Sequence, residues 1–315
     1  MRLNLDTNKI LVTGGSGMLG HAVQTVLPSA VYLSSADGDL KQWEETVRLF
    51  EQHKPDIVIN LAGRIGGVKA NMQNMGNFYY DNMQINTNVI EACRIFGVNK
   101  LLSTLSTCIY PDKAPHPLKE SDIHSGPPHS SNYAYAYSKR MVDVQSRAYR
   151  KQYGCNFTTV VLNNLFGEND NFDLEESHII PAIIRKVWEA KINNKPFIEC
   201  WGDGSPLREF TYSKDTARIL LFLLEKYDKE HPINIGNTNE YHIKEVVETI
   251  CSILEYDGVI KWDTTKPSGQ YRKPSTNQKL LDLGWQNEWY TSLEKGLTKT
   301  CEWVKLNYPN IRGVS

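Results

Sequence analysis

The sequence predicts an α/β fold: a doubly wound parallel sheet covered by helices on both faces, with a smaller α/β domain assembled from later segments. Three observations carry this. Strand-length apolar runs alternate with helix-length segments through the first half, and the first run leads straight into a glycine-rich turn. The 315 residues, 40% hydrophobic and 23% charged, give ample chain for a continuous core and exclude disordered or collagen-like structure.

Residues 9–13 (KILVT), 30–34 (AVYLS), 56–62 (DIVINLA), 100–105 (KLLSTL) and 156–162 (NFTTVVL) read as buried strands. Between them, 18–27, 41–53, 82–96 and 136–152 carry helical spacing or strong helix formers. Such repeated alternation favours parallel strands joined by helical crossovers. In the second half, 179–192 reads as a helix with Pro181 tolerated in its first turn. FIECW (197–201), the turn GDGS and REFTY (208–212) suggest a hairpin. A helix at 215–227 precedes PINIG (232–236), a short strand placed to return to the main sheet. Helices near 243–255 and 291–306 bracket the loop TTKPSGQYRKPS, and no internal repeat is evident. The expected division is a larger domain of residues 1–165 with about 213–238, and a smaller one of about 166–212 with 239–315.

Lysine and arginine number 35 against 36 acidic residues, a net charge of −1. That balance argues against a broad nucleic-acid surface but leaves room for a local basic pocket. The apolar run at 219–224 lies between Arg218 and Glu225, far too short to span a bilayer, so no membrane partner is expected. Asn4, Asp6 and Asn8 interrupt the amino terminus, so no signal peptide is visible. The six cysteines are scattered without a CxxC pair. A reduced, cytoplasmic protein with no metal site is the expectation.

The first strand runs into Gly14-Gly15-Ser16-Gly17-Met18-Leu19-Gly20. Glycines at 14, 17 and 20 permit a tight turn, close backbone approach to a pyrophosphate, and close helix–strand packing. The following helix start offers free N–H groups to the anion. Glycines also serve ordinary turns, but this pattern follows a strand and opens a helix, which favours cofactor binding and a Rossmann-like larger domain. The second strand ends in Ser34-Ser35-Ala36, with Asp37 and Asp39 only afterwards. With hydroxyls there and no acidic side chain at the strand end, NADP is favoured over NAD, although no arginine stands in that stretch.

Tyr135 is followed four residues later by Lys139, so phenol and ammonium share one helix face. A lysine charge ~6 Å away at an effective dielectric of ~20 is worth about 2.8 kcal/mol, which would lower a phenol's pKa by roughly two units. On spacing alone, a tyrosine-rich helix with a solvated lysine competes with this reading; the glycine turn favours the catalytic one. The fourth strand ends in Ser106-Thr107-Cys108-Ile109. If the chain stays extended there, Ser106 and Cys108 project to one side, where open α/β sheets bind ligands. A hydroxyl there suits hydrogen bonding to a carbonyl, and a thiol suits proton exchange at the adjacent carbon. Taken without its neighbours, Cys108 reads as a small buried hydrophobe.

The glycine turn, Ser106 and the Tyr135–Lys139 pair together resemble the extended short-chain dehydrogenases/reductases that act on nucleotide sugars. LAGRIGGVKAN (61–71), STCIYP (106–111), YAYSK (135–139), FGENDNF (166–172), SHIIPA (177–182), WGDGSPLREF (201–210) and TTKPSGQYRK (264–273) resemble the GDP-L-fucose synthase family, in order and over nearly the whole chain. The resemblance implies NADPH-dependent epimerisation at carbons 3 and 5, and reduction of the 4-keto group, of GDP-4-keto-6-deoxy-D-mannose. It also implies that Cys108 and His178 are acid/base groups, that Tyr135 gives a proton tuned by Lys139, and that Ser106 polarises the oxygen.

For the cofactor it implies Gly14, Ser16, Gly17, Met18, Leu19, Gly20, Ser34, Ser35, Asp39, Leu40, Leu61, Ala62, Tyr135, Lys139, Asn163, Asn164 and His178. For the GDP-sugar it implies Lys186, Trp201, Arg208 and Lys266, with Arg272 and Lys273 as additions; guanidinium geometry suits a diphosphate. It further implies a homodimer paired through the helices near 82–96 and 136–152, although apolar positions there also suit the chain's own core. Cys108-Ile109 stands where dehydratase relatives typically carry an acidic pair, but a 4-epimerase or dehydratase stays open, as does a non-catalytic dinucleotide sensor. Gly63, Arg64, Gly76 and Ser16 depart from the commoner residues of relatives without removing a catalytic group.

Overall fold

The computed structural model describes residues 8–266 and 270–314. Its centre is a six-stranded sheet of β1 (Ile10–Thr13), β2 (Val31–Leu33), β3 (Ile57–Asn60), β4 (Lys100–Ser106), β5 (Phe157–Leu162) and β9 (Ile233–Ile235). The strands are all parallel, in the order β2-β1-β3-β4-β5-β9. The order reverses beside β1, which opens a crevice at the carboxyl ends of the strands. Period-two geometry explains the two faces. Leu11, Val58, Leu101 and Val161 face one core, which contains residues of α2 (Trp43–His53), α4 (Met75–Ile95) and α5 (Tyr133–Tyr153). Ile10, Val12, Ile57, Ile59 and Leu102 face the other, with residues of α1 (Met18–Val26) and α7 (Ser213–Lys226).

These elements match the first-half expectation, except that α4 starts well before residue 82 and a short helix, α3 (Val68–Gln73), precedes it. PINIG does return to the main sheet, as β9 beside β5. A buried polar chain fixes α4 to the sheet. The Thr13 hydroxyl donates to Asn60 Oδ1 (2.7 Å), Asn60 Nδ2 to Asn86 Oδ1 (3.0 Å), and Asn86 Nδ2 to the Asn82 carbonyl (2.7 Å).

Lys100, fully buried at the start of β4, donates to the carbonyls of Leu224 (2.7 Å) and Tyr227 (2.8 Å) and to Asp228 (2.6 Å). It therefore satisfies the carbonyl end of α7 from beneath the sheet. Lys100→Met removes this donor and is expected to cost about 2–4 kcal/mol of stability, read by urea unfolding. An unchanged unfolding midpoint would show that the carbonyls find other partners.

The expected hairpin of 197–212 does not form. β7 (Phe197–Trp201) pairs in parallel with β11 (Val259–Asp263). β8 (Leu207–Tyr212) lies in a separate sheet between β6 (Asn164–Phe166) and β10 (Glu240–His242). The intervening turn spends its backbone groups elsewhere. Gly202 N–H donates to Asp263 O (2.9 Å), and Gly204 O accepts from Lys244 N–H (2.9 Å), with both glycines at positive φ. The turn thus joins β11 to α8 (Ile243–Ile253) rather than closing a ladder. Around these strands α6 (Ile179–Ile192), α8 and α10 (Leu293–Asn307) share a third core, including Ile184, Val187, Phe210, Val247 and Leu297. α9 (Gln278–Asp282) packs under β9, with Leu280 in the α1/α7 core.

Candidate active site

The glycine turn is built for close approach. Gly14 has φ +71°, and a Cβ there would lie 2.9 Å from the Ala62 nitrogen; one on Gly20 would lie 2.5 Å from the Gly14 carbonyl oxygen. Gly17 precedes α1 in extended conformation, and no side chain caps that helix end. Uncapped first-turn amides at a helix N-terminus, with backbone packed this tightly behind them, fit a dinucleotide pyrophosphate.

At the end of β2, Asp37 accepts from both Ser34 N–H and Ser34 Oγ (2.8 Å each). Those bonds hold the Asp37 carboxyl below its usual range. Asp39 is drawn toward Lys41, 3.7 Å away. The expectation that no arginine serves this place holds only along the chain. Arg48 reaches back from α2 to donate to the Asp37 carbonyl (2.6 Å), putting a guanidinium beside the loop. Its signal was a position 11 residues on, in the next helix, visible only once α2 packs.

β4 does not stay extended past Ser106. The chain enters a 3-10 turn at Thr107–Ile109, and Cys108 N–H donates to Ser106 Oγ (3.3 Å). The turn is fixed from α5, where Arg140 Nε donates to the Ile109 carbonyl (2.6 Å). The thiol still joins the group expected from its sequence position. Cys108 packs against Tyr135, Phe78 and Ala70, with the Phe78 and Tyr135 rings edge to face at 6.4 Å.

Tyr135 and Lys139 lie on one face of α5, both buried. The expected lowering of the phenol is overturned: burial pushes Tyr135 above its ordinary range, with the neighbouring Cys108 adding to this and a hydrogen bond with Ser106 opposing it. Burial likewise lowers Lys139 to about 8. Desolvation outweighs the charge effect here because both groups sit inside the fold. Lys139 Nζ donates to the Thr104 carbonyl (3.2 Å) and lies where a Cβ on Gly63 would come within 3.4 Å.

His178 is the N-cap residue of α6. Solvent reaches its ring, yet protein surrounds it closely enough that desolvation lowers its pKa. The preceding loop docks on the LAGRIGGVKAN segment. Gly67 N–H donates to the Glu176 carbonyl (2.7 Å), a Cβ on Gly67 would fall 2.6 Å from the Ser177 carbonyl oxygen, and Lys69 pairs with Glu175. Gly67 is thus explained by backbone-to-backbone contact just ahead of His178, while a Cβ on Gly66 would meet the Phe78 ring at 3.0 Å and the Ala70 methyl at 3.1 Å.

Arg208, on β8, donates to the carbonyls of Leu207 (2.7 Å) and Tyr271 (3.3 Å). Burial lowers its pKa, and the Cys108 sulfur lies near enough to oppose that. Lys273 joins the same cluster. The other residues expected to bind the GDP-sugar gather at β7: Lys186 Nζ donates to Glu199 O (3.0 Å), and Lys266 stands 5.9 Å from the exposed Trp201 ring. Residues 267–269 of the TTKPSGQYRK motif lie outside the described residues, as do 1–7 of the amino terminus.

Asn163 is committed to structure. Its Nδ2 donates to Asn237 O (2.8 Å) and its Oδ1 accepts from Thr211 (2.7 Å), tying the ends of β5, β8 and β9 together, while Asn164 begins β6. Sequence reasoning missed Glu209, 2% exposed, which accepts from Ser275 N–H and Oγ (2.7 Å each). Burial raises its pKa to about 7.

A family model described as the NAD dependent epimerase/dehydratase family matches residues 10–236. The chain is 40% identical to the GDP-L-fucose synthase of Dictyostelium discoideum, covering 96% of this chain and 97% of that protein. It is 32% identical to the GDP-L-fucose synthase of Escherichia coli K12, covering 98% and 100%. The crystal structure of a GDP-L-fucose synthetase from Naegleria fowleri bound to NADP superposes with a TM-score of 0.92 at 39% identity, covering 99% of this chain and 96% of that one. This chain belongs to the GDP-L-fucose synthase family, within the NAD dependent epimerase/dehydratase family.

Proposed function

We propose that this chain is an NADP-dependent epimerase-reductase that converts GDP-4-keto-6-deoxy-D-mannose to GDP-L-fucose. The observation that carries the reading is the meeting of Ser106, Cys108 and Tyr135 at the end of β4, with Lys139 beneath and Arg208 beside them. Catalytic roles go to Ser106, Cys108, Tyr135, Lys139 and His178. The uncapped start of α1, Ser34 and the Arg48 guanidinium suit a dinucleotide carrying a 2′-phosphate. When bound, NADPH supplies the hydride that reduces carbon 4.

The carbons flanking a 4-keto group carry acidified protons. Cys108 as thiolate takes one: the C–H bond breaks, an S–H bond forms, and the electron pair moves to the 4-oxygen as an enolate. Hydroxyls of Ser106 and Tyr135 steady that oxygen. His178 returns a proton to the opposite face: its N–H bond breaks, a C–H bond forms with inverted configuration, and the carbonyl reappears. Exchange with solvent resets thiol and imidazole. In the reduction Tyr135 transfers its phenolic proton to the oxygen on carbon 4, and the Lys139 ammonium stabilises the phenolate left behind. A phenol held above its ordinary range keeps its proton at neutral pH, the state this step needs.

Lys139 sets a pH limit. With its pKa at about 8, the ammonium is present below that value and lost above it. The rate of 4-keto reduction is therefore expected to fall as pH rises through about 8. Lys139→Arg should carry this limb to higher pH, since guanidinium keeps its proton. A limb that stays in place in Lys139→Arg would assign it to another group. The activity as a whole is tested by mixing protein, NADPH and GDP-4-keto-6-deoxy-D-mannose: NADPH oxidation with GDP-L-fucose as product is expected, and absence of both rejects the reading.

Two further assignments belong to this reading. The chain divides into a dinucleotide-binding domain of residues 1–165 with about 213–238 and a nucleotide-sugar domain of about 166–212 with 239–315. It pairs as a homodimer through α4 and α5, whose outer face carries a groove of about 460 Å³ lined by Met75, Tyr79, Tyr133, Tyr137 and Met141. Exposed aromatic side chains along one face support that pairing, and sedimentation of the purified protein tests it. Among the described residues no helix is long and apolar enough to cross a membrane. Six cysteines without a disulfide suit a reducing cytoplasm.

A further inference from the structure

His178 stands at the end of a connection between β6 and α6 that holds no helix or strand. Such segments are ordinarily mobile, yet this one is tied at successive steps. Asn171 Oδ1 accepts from Asp173 N–H (3.1 Å), Asp173 Oδ1 accepts from the N–H groups of Glu175 (2.8 Å) and Glu176 (2.9 Å), and the Asp173 carbonyl accepts from Ser177 N–H (3.0 Å). One flank of this turn rests on the Gly67 backbone. The other flank meets residues 312–313. Phe172 N–H donates to the Arg312 carbonyl (2.9 Å), and Arg185, two turns along α6 from His178, donates from Nη1 to the carbonyls of both Phe172 (3.0 Å) and Gly313 (2.7 Å). Gly313 has φ +83°, and a Cβ there would lie 2.3 Å from the Asp173 nitrogen.

We propose that Arg185 is a positioning residue for His178: by joining the Phe172 and Gly313 carbonyls it clamps the 172–177 turn against the Gly67 backbone and so fixes where the imidazole meets the sugar ring. This role rests on the epimerase reading, in which His178 returns the proton to the face opposite Cys108. Arg185 differs from a substrate anchor because its guanidinium is already engaged. Nη1 bridges two carbonyls from separate segments, and Nε donates to Glu189 Oε1 (2.7 Å) on the same helix, which sets the direction of the side chain. Phe172, fully buried and stacked on Trp303 at 6.0 Å between ring centres, gives the clamp a fixed base. Proton delivery to carbon depends steeply on where the donor sits, and a misplacement of ~1 Å costs about 10²-fold. Cys108 belongs to a different element, the turn after β4, so proton abstraction does not pass through this clamp.

The test compares full-length wild type, Arg185→Met, Arg185→Lys and Gly313→Ala in D₂O with NADPH and GDP-4-keto-6-deoxy-D-mannose, reading deuterium and configuration at carbons 3 and 5. With the clamp loosened, Cys108 still forms the enolate, but the same thiol returns the proton. Its S–D bond breaks, a C–D bond forms on the original face, and the carbonyl reappears. Arg185→Met is therefore expected to lower inversion relative to deuterium uptake by about 10-fold or more, with KM little changed. Arg185→Lys, whose ammonium can reach the same carbonyls, should restore most of the ratio. Gly313→Ala presses on the Asp173 nitrogen without touching Arg185, should shift the ratio in the same direction, and carries the test should Arg185→Met not fold. Loss of folded protein lowers uptake, inversion and reduction by one factor and leaves their ratio alone. An unchanged ratio in a variant shown by circular dichroism to be folded overturns the proposal. Amide hydrogen exchange of residues 172–178 reads the clamp without substrate or cofactor: Arg185→Met should speed it, and unchanged exchange also overturns the proposal. Failure of the wild-type protein to form GDP-L-fucose would sink the functional reading separately, with the amide exchange still reporting on the clamp.

Discussion

Tyr135→Phe is expected to lower 4-keto reduction by about 10³-fold while leaving the protein folded. The substitution removes one oxygen and keeps the ring. That ring is buried, packs edge to face on Phe78 and touches Cys108, so the apolar contacts survive. The stability change should stay within ~1.5 kcal/mol, as for volume-conserving core swaps. What disappears is the proton for the oxygen on carbon 4. NADPH consumption followed by stopped flow reports the chemical step, and thermal unfolding separates it from a folding defect. A variant that reduces substrate within a few-fold of wild type would show that another group delivers the proton.

Cys108→Ser has its large effect elsewhere. A serine hydroxyl is far less acidic than a thiol and does not supply a base at neutral pH, so solvent-proton exchange at carbons 3 and 5 is expected to fall by about 10²–10⁴-fold. In the proposed mechanism the reduction at carbon 4 relies on Tyr135 and Lys139, which the substitution leaves in place, so reduction should fall less. The expected signature is therefore a product that retains the original configuration at carbons 3 and 5 and carries no solvent deuterium there. Deuterium incorporation at the wild-type rate would remove the thiol from the mechanism.

The central sheet was legible because β1, β3, β4, β5 and β9 are buried on both faces and read as apolar runs, with only the edge strand β2 partly exposed. The short strands of the second half were not. β6, β10 and β11 are half-buried, with no run of apolar residues to mark them. The GDGS turn looks like a hairpin turn locally, and only its bonds to Asp263 and Lys244 show that it is not one.

At the site, the features that lie close along the chain were legible as geometry: the glycine turn ahead of α1, Tyr135 and Lys139 on one face of α5, and Ser106 at the end of β4. What the sequence could not show comes from long-range contact and burial. Ser275 meets Glu209 across 66 residues, and Arg48 reaches a loop from the next helix. The four-residue spacing of Tyr135 and Lys139 also concealed that desolvation, rather than their mutual charge effect, governs both groups.

The most direct measurement of the central claim, that one site both epimerises and reduces, is a single reaction in D₂O with wild-type protein, NADPH and GDP-4-keto-6-deoxy-D-mannose, read by NMR of the isolated product. GDP-L-fucose bearing deuterium at both carbon 3 and carbon 5 is the expected result. A reduced GDP-sugar with hydrogen retained at both carbons, in the configuration of the starting sugar, would contradict it.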